Sequence, residues 1–437
     1  MNAPAVLIRR DTSHRFAPSA VRDGIAMMSG RGAQTALGFC FWVLAARWFP
    51  ADVVGLTAAA LAAIMLCTQL ANLGVGAALI SWLPRHRSDP SALLDTCITV
   101  AAVSAAFTSL AFLLVGSTWL DDVRRILGRP AFGVAFVVMA VLGTSNIVLD
   151  QISMAIGKGS HVLTRNVVFG LATVVCLPGI AFIAGPRSSR TPLELFSPVV
   201  VAGGAAVGIG LWQLAASVHG YRFRPALHRR FTTGLVRSGV GHQLVTLTER
   251  VPGLVLPVMV TEILTPADNA VWYIVWMMAW GAAIVPLSIG MGLFAEIAND
   301  PLSVRRAVRS AAGTSLAIGG ALAALLAIAA PMLLGLLGPE YRTSGVVPLR
   351  ILVLGFLPLT VAQLYAAVCR SRHRTAEAAR MGAVSCVLTI TSAAVVAQSH
   401  GLVGIAWACV LAPSVTACIT IARVHVLLGA RPRERRT

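Results

Sequence analysis

Apolar residues run along this chain in blocks of twenty or more, broken by short polar turns. About 20 mostly apolar residues cross a bilayer as a helix. Twelve blocks of that kind can be traced, at approximately 24–48, 53–83, 92–119, 131–156, 162–184, 198–218, 236–262, 270–298, 309–337, 346–369, 377–398 and 401–428. Breakers separate them: Pro50, Pro84 with Pro90, Gly128 to Pro130, Gly157 to Ser160, Gly185 to Pro192, Pro225, Pro266, Pro301 and Gly338 with Pro339. In lipid every backbone polar group must be satisfied within its own segment or a closed barrel. The pattern therefore predicts an all-α integral membrane protein with twelve transmembrane helices.

A short repeat suggests how the twelve are grouped. Phe49-Pro50-Ala51-Asp52 joins the first and second blocks, and Thr265-Pro266-Ala267-Asp268 joins the seventh and eighth. Proline in the first turn with an acid close behind is a good helix start anywhere. The matching topological positions favour a duplication over chance. Six spans per half preserve the direction of insertion, so the expected architecture is two six-helix bundles related by a parallel repeat. The expected division is a cytoplasmic tail at 1–23, an N-terminal bundle at 24–218 and a basic linker at 219–236. A C-terminal bundle at 237–428 and a basic tail at 429–437 complete it.

Composition adds to this picture. The 437 residues are 57% hydrophobic and 12% charged, with a mean hydropathy of +0.79. A soluble chain carries about a quarter charged residues, so no separate soluble domain is expected. The net charge of +18 would suggest nucleic acid in a soluble protein. Here the arginines gather in alternate short loops, so topology is the better account, with both termini cytoplasmic. Nucleic acid is not an expected partner. The eight cysteines all lie in apolar runs without CxxC or Cys/His spacing, which fits buried small hydrophobes. GxxxxGK[ST], HExxH and Gly-x-Ser-x-Gly do not occur, so no nucleotide, metal or cofactor chemistry is expected, and the protein is not expected to be an enzyme.

Polar residues inside the apolar blocks are the candidates for function. Charge in a span is costly and normally faces protein or a wet cavity. The seventh block carries Glu249 and Arg250 side by side, with Gln243, Thr246, Arg250, Gly253 and Pro257 on one helical stripe and His242 with Glu249 on the next. A structural ion pair is the competing account of the two charges, although neighbours in sequence point about 100° apart. Arg31, Gln34, Thr35, Gly38 and Trp42 make a stripe on the first block, where Arg31 either snorkels to the surface or lines a cavity. Asn72 lies on a face of the second block with Thr57, Thr68 and Gly76, where helix packing is the simpler role. Asp150, late in the fourth block, is a further buried-acid candidate. Trp272 suits an interface belt, and the glycines around Asn72 allow close helix approach.

Four stretches resemble a known family: Leu44-Ala45-Ala46-Arg47-Trp48-Phe49-Pro50-Ala51-Asp52-Val53-Val54-Gly55, Leu70-Ala71-Asn72-Leu73-Gly74-Val75-Gly76, Leu337-Gly338-Pro339-Glu340-Tyr341 with Leu349-Arg350-Ile351-Leu352, and Gly401-Leu402-Val403-Gly404-Ile405-Ala406. They are similar to structural turns of the Wzx-like polysaccharide flippases, a branch of the multidrug/oligosaccharidyl-lipid/polysaccharide exporter superfamily. Trp48-Phe49 and Val54 depart from the family's usual Gly and Tyr. The resemblance implies a two-bundle transporter of the bacterial cytoplasmic membrane that moves undecaprenyl-diphosphate-linked oligosaccharide between leaflets by alternating access. Its partners would be the lipid-linked glycan, membrane lipids, and the polymerase and glycosyltransferases of the same route. The polar stripes then suggest Arg250 and Arg31 as charge partners of a diphosphate in a cationic central cleft. Gln34, Gln243 and Asn72 would be sugar hydrogen-bonders, and Glu249 or Asp150 would couple ions. An ion-coupled multidrug exporter of the same architecture is the alternative reading.

Overall fold

The computed structural model describes residues 18–83, 86, 89–218, 220–299, 304–372 and 374–429. All regular structure among them is helical. The elements are α1 (Pro18–Trp48), α2 (Ala51–Ala71), α3 (Val75–Trp82), α4 (Pro90–Trp119), α5 (Asp121–Leu127), α6 (Pro130–Ala155), α7 (Gly159–Ile183) and α8 (Pro192–Ser217). They continue with α9 (Arg229–Ile263), α10 (Pro266–Asn299), α11 (Val304–Gly335), α12 (Pro339–Leu352), α13 (Phe356–Ser371) and α14 (Thr375–Gly429). Local chemistry sets many of the starts. Prolines open α4, α6, α8, α10 and α12, where a missing N–H removes nothing the helix would use. Asp89 caps α4 by accepting from the Ala92 N–H at 3.2 Å. Thr191 and Glu194 form a reciprocal capping box on α8, and Thr265 accepts from the Asp268 N–H at 3.1 Å to start α10.

Among the described residues, nine helical stretches are long and apolar enough to cross a membrane. The last of them, Thr375–Arg423, bends at Gly401, whose φ of 55° and ψ of −147° interrupt the helix where two separate spans were expected. The expected second span is also interrupted. Leu73 and Gly74 both take positive φ, 47° and 68°, so α2 stops and α3 begins in a new direction. The helices long enough to span that fall outside the apolar set are α1 and α9, the two that carry Arg31 and Arg250. Large apolar side chains cover the surface: Phe182 is 89% exposed, Val395 79% and Phe107 73%. Water would penalise such a surface heavily, whereas lipid accepts it. The protein is a multi-span membrane protein.

The chain divides into two compact units, Met1–Leu247 and Thr248–Thr437. In the first, α1 lies along α7, α7 along α8, and α4 and α8 both pack on α6. In the second, α10 and α13 are central, with α11, α12 and α14 around them. The linker expected at 219–236 is shorter than its arginines suggested, because α9 starts at Arg229. Phe231 and Leu235 are buried on one face of α9, in a cluster with Tyr221, Leu93, Leu94 and Ile152. The unit boundary accordingly falls inside α9, after Leu247, and not at its start.

The C-terminal end of α1 is held by a clasp. Arg187 donates to the carbonyls of Phe49 (3.0 Å) and Ala46 (3.3 Å), and Arg190 to those of Trp48 (2.6 Å), Ala181 (2.7 Å) and Gly185 (3.2 Å). The Arg190 guanidinium also lies 5.3 Å from the Phe49 ring centroid. Carbonyls at a helix C-terminus have no partner within the helix and carry partial negative charge. Two arginines from the α7–α8 connection are a direct answer to both needs.

Candidate functional site

The stripe expected along α9 is divided between the two units. In the first unit Gln243 is buried, and its amide donates to the Gln69 carbonyl. The Asn72 Nδ2 in turn donates to the Gln243 Oε1 at 3.5 Å. These two residues face each other at the point where α9 crosses the break between α2 and α3. The crossing is a backbone-to-backbone approach: a Cβ on Gly74 would lie 2.1 Å from the Gly239 carbonyl oxygen, and one on Gly239 would lie 2.4 Å from the Leu73 carbonyl oxygen. The expected close approach at these glycines is present. Gln34 is half-buried on α1, and the side chain of Arg31 lies outside the described residues, as does that of His242.

The same seam holds a row of polar oxygens. Thr68 Oγ1, Asn72 Oδ1, Asn146 Oδ1 and Gln151 Oε1 are each buried and accept no hydrogen bond. Thr68 lies against Gly143, and Gln151 fills the space beside Gly76. The α2–α3 segment and α6 therefore run parallel, with Thr68 and Gln151 at their junction. Buried acceptors are normally satisfied, and these four are not.

Asp150 belongs to a network that sequence reasoning missed. Arg165 on α7 is 2% exposed. It donates to Asp150 Oδ1 on α6 (2.6 Å), Ser153 Oγ on α6 (3.1 Å) and Gln213 Oε1 on α8 (2.9 Å). One guanidinium thus joins three helices. Its forked donors suit this task, which an ammonium could not reproduce. Arg165 follows closely on the turn at Gly157 to Ser160, yet it stands six residues inside α7, roughly 9 Å from the helix start at 1.5 Å per residue. Gln213, polar within an apolar run, was the signal that a buried partner existed.

In the second unit Glu249 pairs with Arg370 of α13 at 3.5 Å, their side chains 32% and 24% exposed. Arg250 is exposed. The adjacent charges thus point apart, as the 100° helical step requires. Gly253 packs against the Trp276 ring, which a Cβ would approach to 2.9 Å. Trp272, expected at an interface belt, is fully buried. Its neighbour Trp276 sits with ring centroids 5.9 Å away, and helix packing explains the position. At the start of α14, Glu377 accepts from Arg423 (2.5 Å), Tyr365 (3.0 Å) and Arg374 (3.2 Å), tying both ends of α14 to α13.

A multi-span fold with polar seams and a buried, ion-paired arginine, but no metal-binding cluster among the described residues, leaves the question of kin. A model of the family described as "Polysaccharide biosynthesis protein" matches residues 20–279. The chain belongs to that family. None of the curated proteins matches it in sequence. Solved structures share its fold. An inward-facing multidrug-resistance MATE-family transporter of the MOP superfamily has a TM-score of 0.70 at 13% identity, over 91% of this chain and 96% of that one. An outward-facing member has a TM-score of 0.65 at 15% identity, over 94% and 97%. A MOP-superfamily transporter from Pyrococcus furiosus, described as having a binding pocket of reverse polarity, has a TM-score of 0.59 at 13% identity, over 94% and 96%. The family is one of polysaccharide biosynthesis, and the fold is one that membrane transporters share.

Proposed function

We propose that the protein is a flippase that carries undecaprenyl-diphosphate-linked oligosaccharide across the bacterial cytoplasmic membrane for cell-surface polysaccharide synthesis. The observation that carries this reading is the family match over most of the chain, on a fold shared with MOP transporters. Counting α1, α9 and both limbs of the helix bent at Gly401 as crossings, we read twelve spans in two six-helix halves related by a parallel repeat, with both termini cytoplasmic. The substrate asks for two things in hydrocarbon: cations for a diphosphate and hydrogen-bonding groups for sugars. Arg250 and Arg31 are proposed for the first, with Gln34, Gln243 and Asn72 for the second. The unpaired oxygens of Thr68, Asn72, Asn146 and Gln151 support such a role, because sugar hydroxyls are donors. Of the two acids, Glu249 is the better candidate for ion coupling, being exposed and loosely paired, whereas Asp150 is engaged by buried Arg165. Glycan polymerase and glycosyltransferases are the proposed partners.

The test is Arg250→Ala in the producing cell, beside Arg250→Lys. Losing a charge-assisted contact should slow flipping by about tenfold, so surface polysaccharide falls and lipid-linked precursor accumulates on the inner face. Lysine should restore part of it. Normal polysaccharide without precursor build-up overturns the assignment of Arg250. The alternative, an ion-coupled exporter of small molecules, rests on neighbours at 13–15% identity. It predicts altered drug susceptibility on deletion with polysaccharide unchanged.

A further inference from the structure

The segment between α8 and α9 is an extended strap bound to the first unit. Tyr221 Oη donates to Asp95 Oδ1 at 2.7 Å, and the Arg224 N–H reaches the same oxygen at 3.3 Å. The Ala226 N–H donates to Thr99 Oγ1 (3.2 Å) and the His228 N–H to Thr96 Oγ1 (3.3 Å). Amides at every second residue face one helix, as an extended chain requires. Asp95, Thr96 and Tyr221 are buried. Burial, and then the bond to Asp95, pushes the Tyr221 phenol above its ordinary range, so the donating O–H is retained.

The outward edge of the strap is basic. Arg222, Arg224 and Arg229 are exposed, Leu227 is 54% exposed between them, and residues 219–237 contain no acid. Arg230, also exposed, is committed to Asp89 and to the Phe231 ring. Depth decides what this edge meets. Asp95 to Thr99 lie five to nine residues inside α4, roughly 8–14 Å from its start. At 30 residues α4 is about 45 Å long, against about 30 Å of hydrocarbon, so its ends traverse the headgroup layer. Shared evenly, the excess is about 7.5 Å at each end, so the strap meets α4 at the boundary between headgroups and acyl chains, where a soluble partner does not reach.

We propose that the strap is a seat for anionic phospholipid, with Arg222, Arg224 and Arg229 taking headgroup phosphates and Leu227 entering the acyl boundary. Forked guanidinium donors match phosphate oxygens. The fixed backbone sets their spacing before lipid arrives.

The full-length protein in nanodiscs of phosphatidylcholine with a minority of phosphatidylglycerol tests this. The lipids that remain bound are counted by native mass spectrometry. The wild type should retain phosphatidylglycerol preferentially, and less so at high salt. Each arginine removed should cut the preference by about fivefold, so R222Q/R224Q/R229Q should abolish it at unchanged melting temperature. Thr96→Val with Thr99→Val keeps every arginine but removes two anchors of the strap, and should lower the preference by less. Full retention by the arginine variant overturns the seat, and full retention by the threonine variant overturns its fixed geometry. Displacement of phosphatidylglycerol by inorganic pyrophosphate at matched ionic strength would assign the arginines to a free anion and overturn the lipid assignment. The proposal stands apart from the flippase reading, since the assay involves no transport.

Discussion

At Arg165 a single side chain decides whether three helices stay together. Removing one partner of a buried ion pair leaves the other uncompensated, at a cost of about 3 kcal/mol or more. Asp150→Asn should therefore lower the melting temperature in detergent markedly, whereas Asp150→Leu with Arg165→Met should recover part of the loss. Wild-type stability of Asp150→Asn would show that the pair carries little. Glycines give a sharper contrast. Gly74 has φ of 68° and would place a Cβ 2.1 Å from the Gly239 oxygen, while Gly38 has nothing within 4 Å. An L-residue in that left-handed conformation costs roughly 1–2 kcal/mol before any clash. Gly74→Ala should thus abolish accumulation of folded protein in the membrane and Gly38→Ala should leave it unchanged, as read by size-exclusion profiles. The sequence pointed to the glycines near Asn72 because small residues recur there. It could not pair Gly74 with Gly239, since nothing local encodes which backbone crosses which.

At the scale of elements, much was legible. Breakers placed most helix starts, because proline and its neighbours act locally. The interruption at Leu73 and Gly74 was not legible, since apolar composition continues through it. Nor was the α1 clasp: Arg187 and Arg190 read as loop charges, and only the fold brings them to carbonyls of residues 46–49. Arg190→Ala removes three charge-assisted bonds from a half-exposed site, each worth about 1.5 kcal/mol when protected and less in water. The outcome should be a loss of about 1–2 kcal/mol, seen as faster hydrogen exchange at the ends of α1 and α7 that Arg190 joins, with Arg190→Lys intermediate. Unchanged exchange there would mean that the clasp does not hold the helix end.

For the whole molecule, membrane residence followed from composition, and the family resemblance from turn motifs that survive because turns constrain backbone more than side chains. The charges proposed for function were harder to read. A single sequence shows that Glu249 and Arg250 lie within an apolar block, but the partner of Glu249 comes from α13, so Arg370 was invisible. The Glu249 pair is partly exposed, and such pairs contribute about 0–1 kcal/mol. Glu249→Gln should leave stability nearly unchanged while flattening the dependence of flipping on the ion gradient in proteoliposomes. An unaltered gradient response would remove Glu249 from the coupling scheme. The strap between α8 and α9 closes the matter of register. Three of its four anchors are main-chain amides at 224, 226 and 228, a resource that every residue but proline supplies, and Pro225 stands between two of them. Sliding the strap by one residue would present a proline where a donor is needed. A ring that donates nothing thus works as a detent, leaving side-chain identity on the outward edge free to change while the thread stays in its notch.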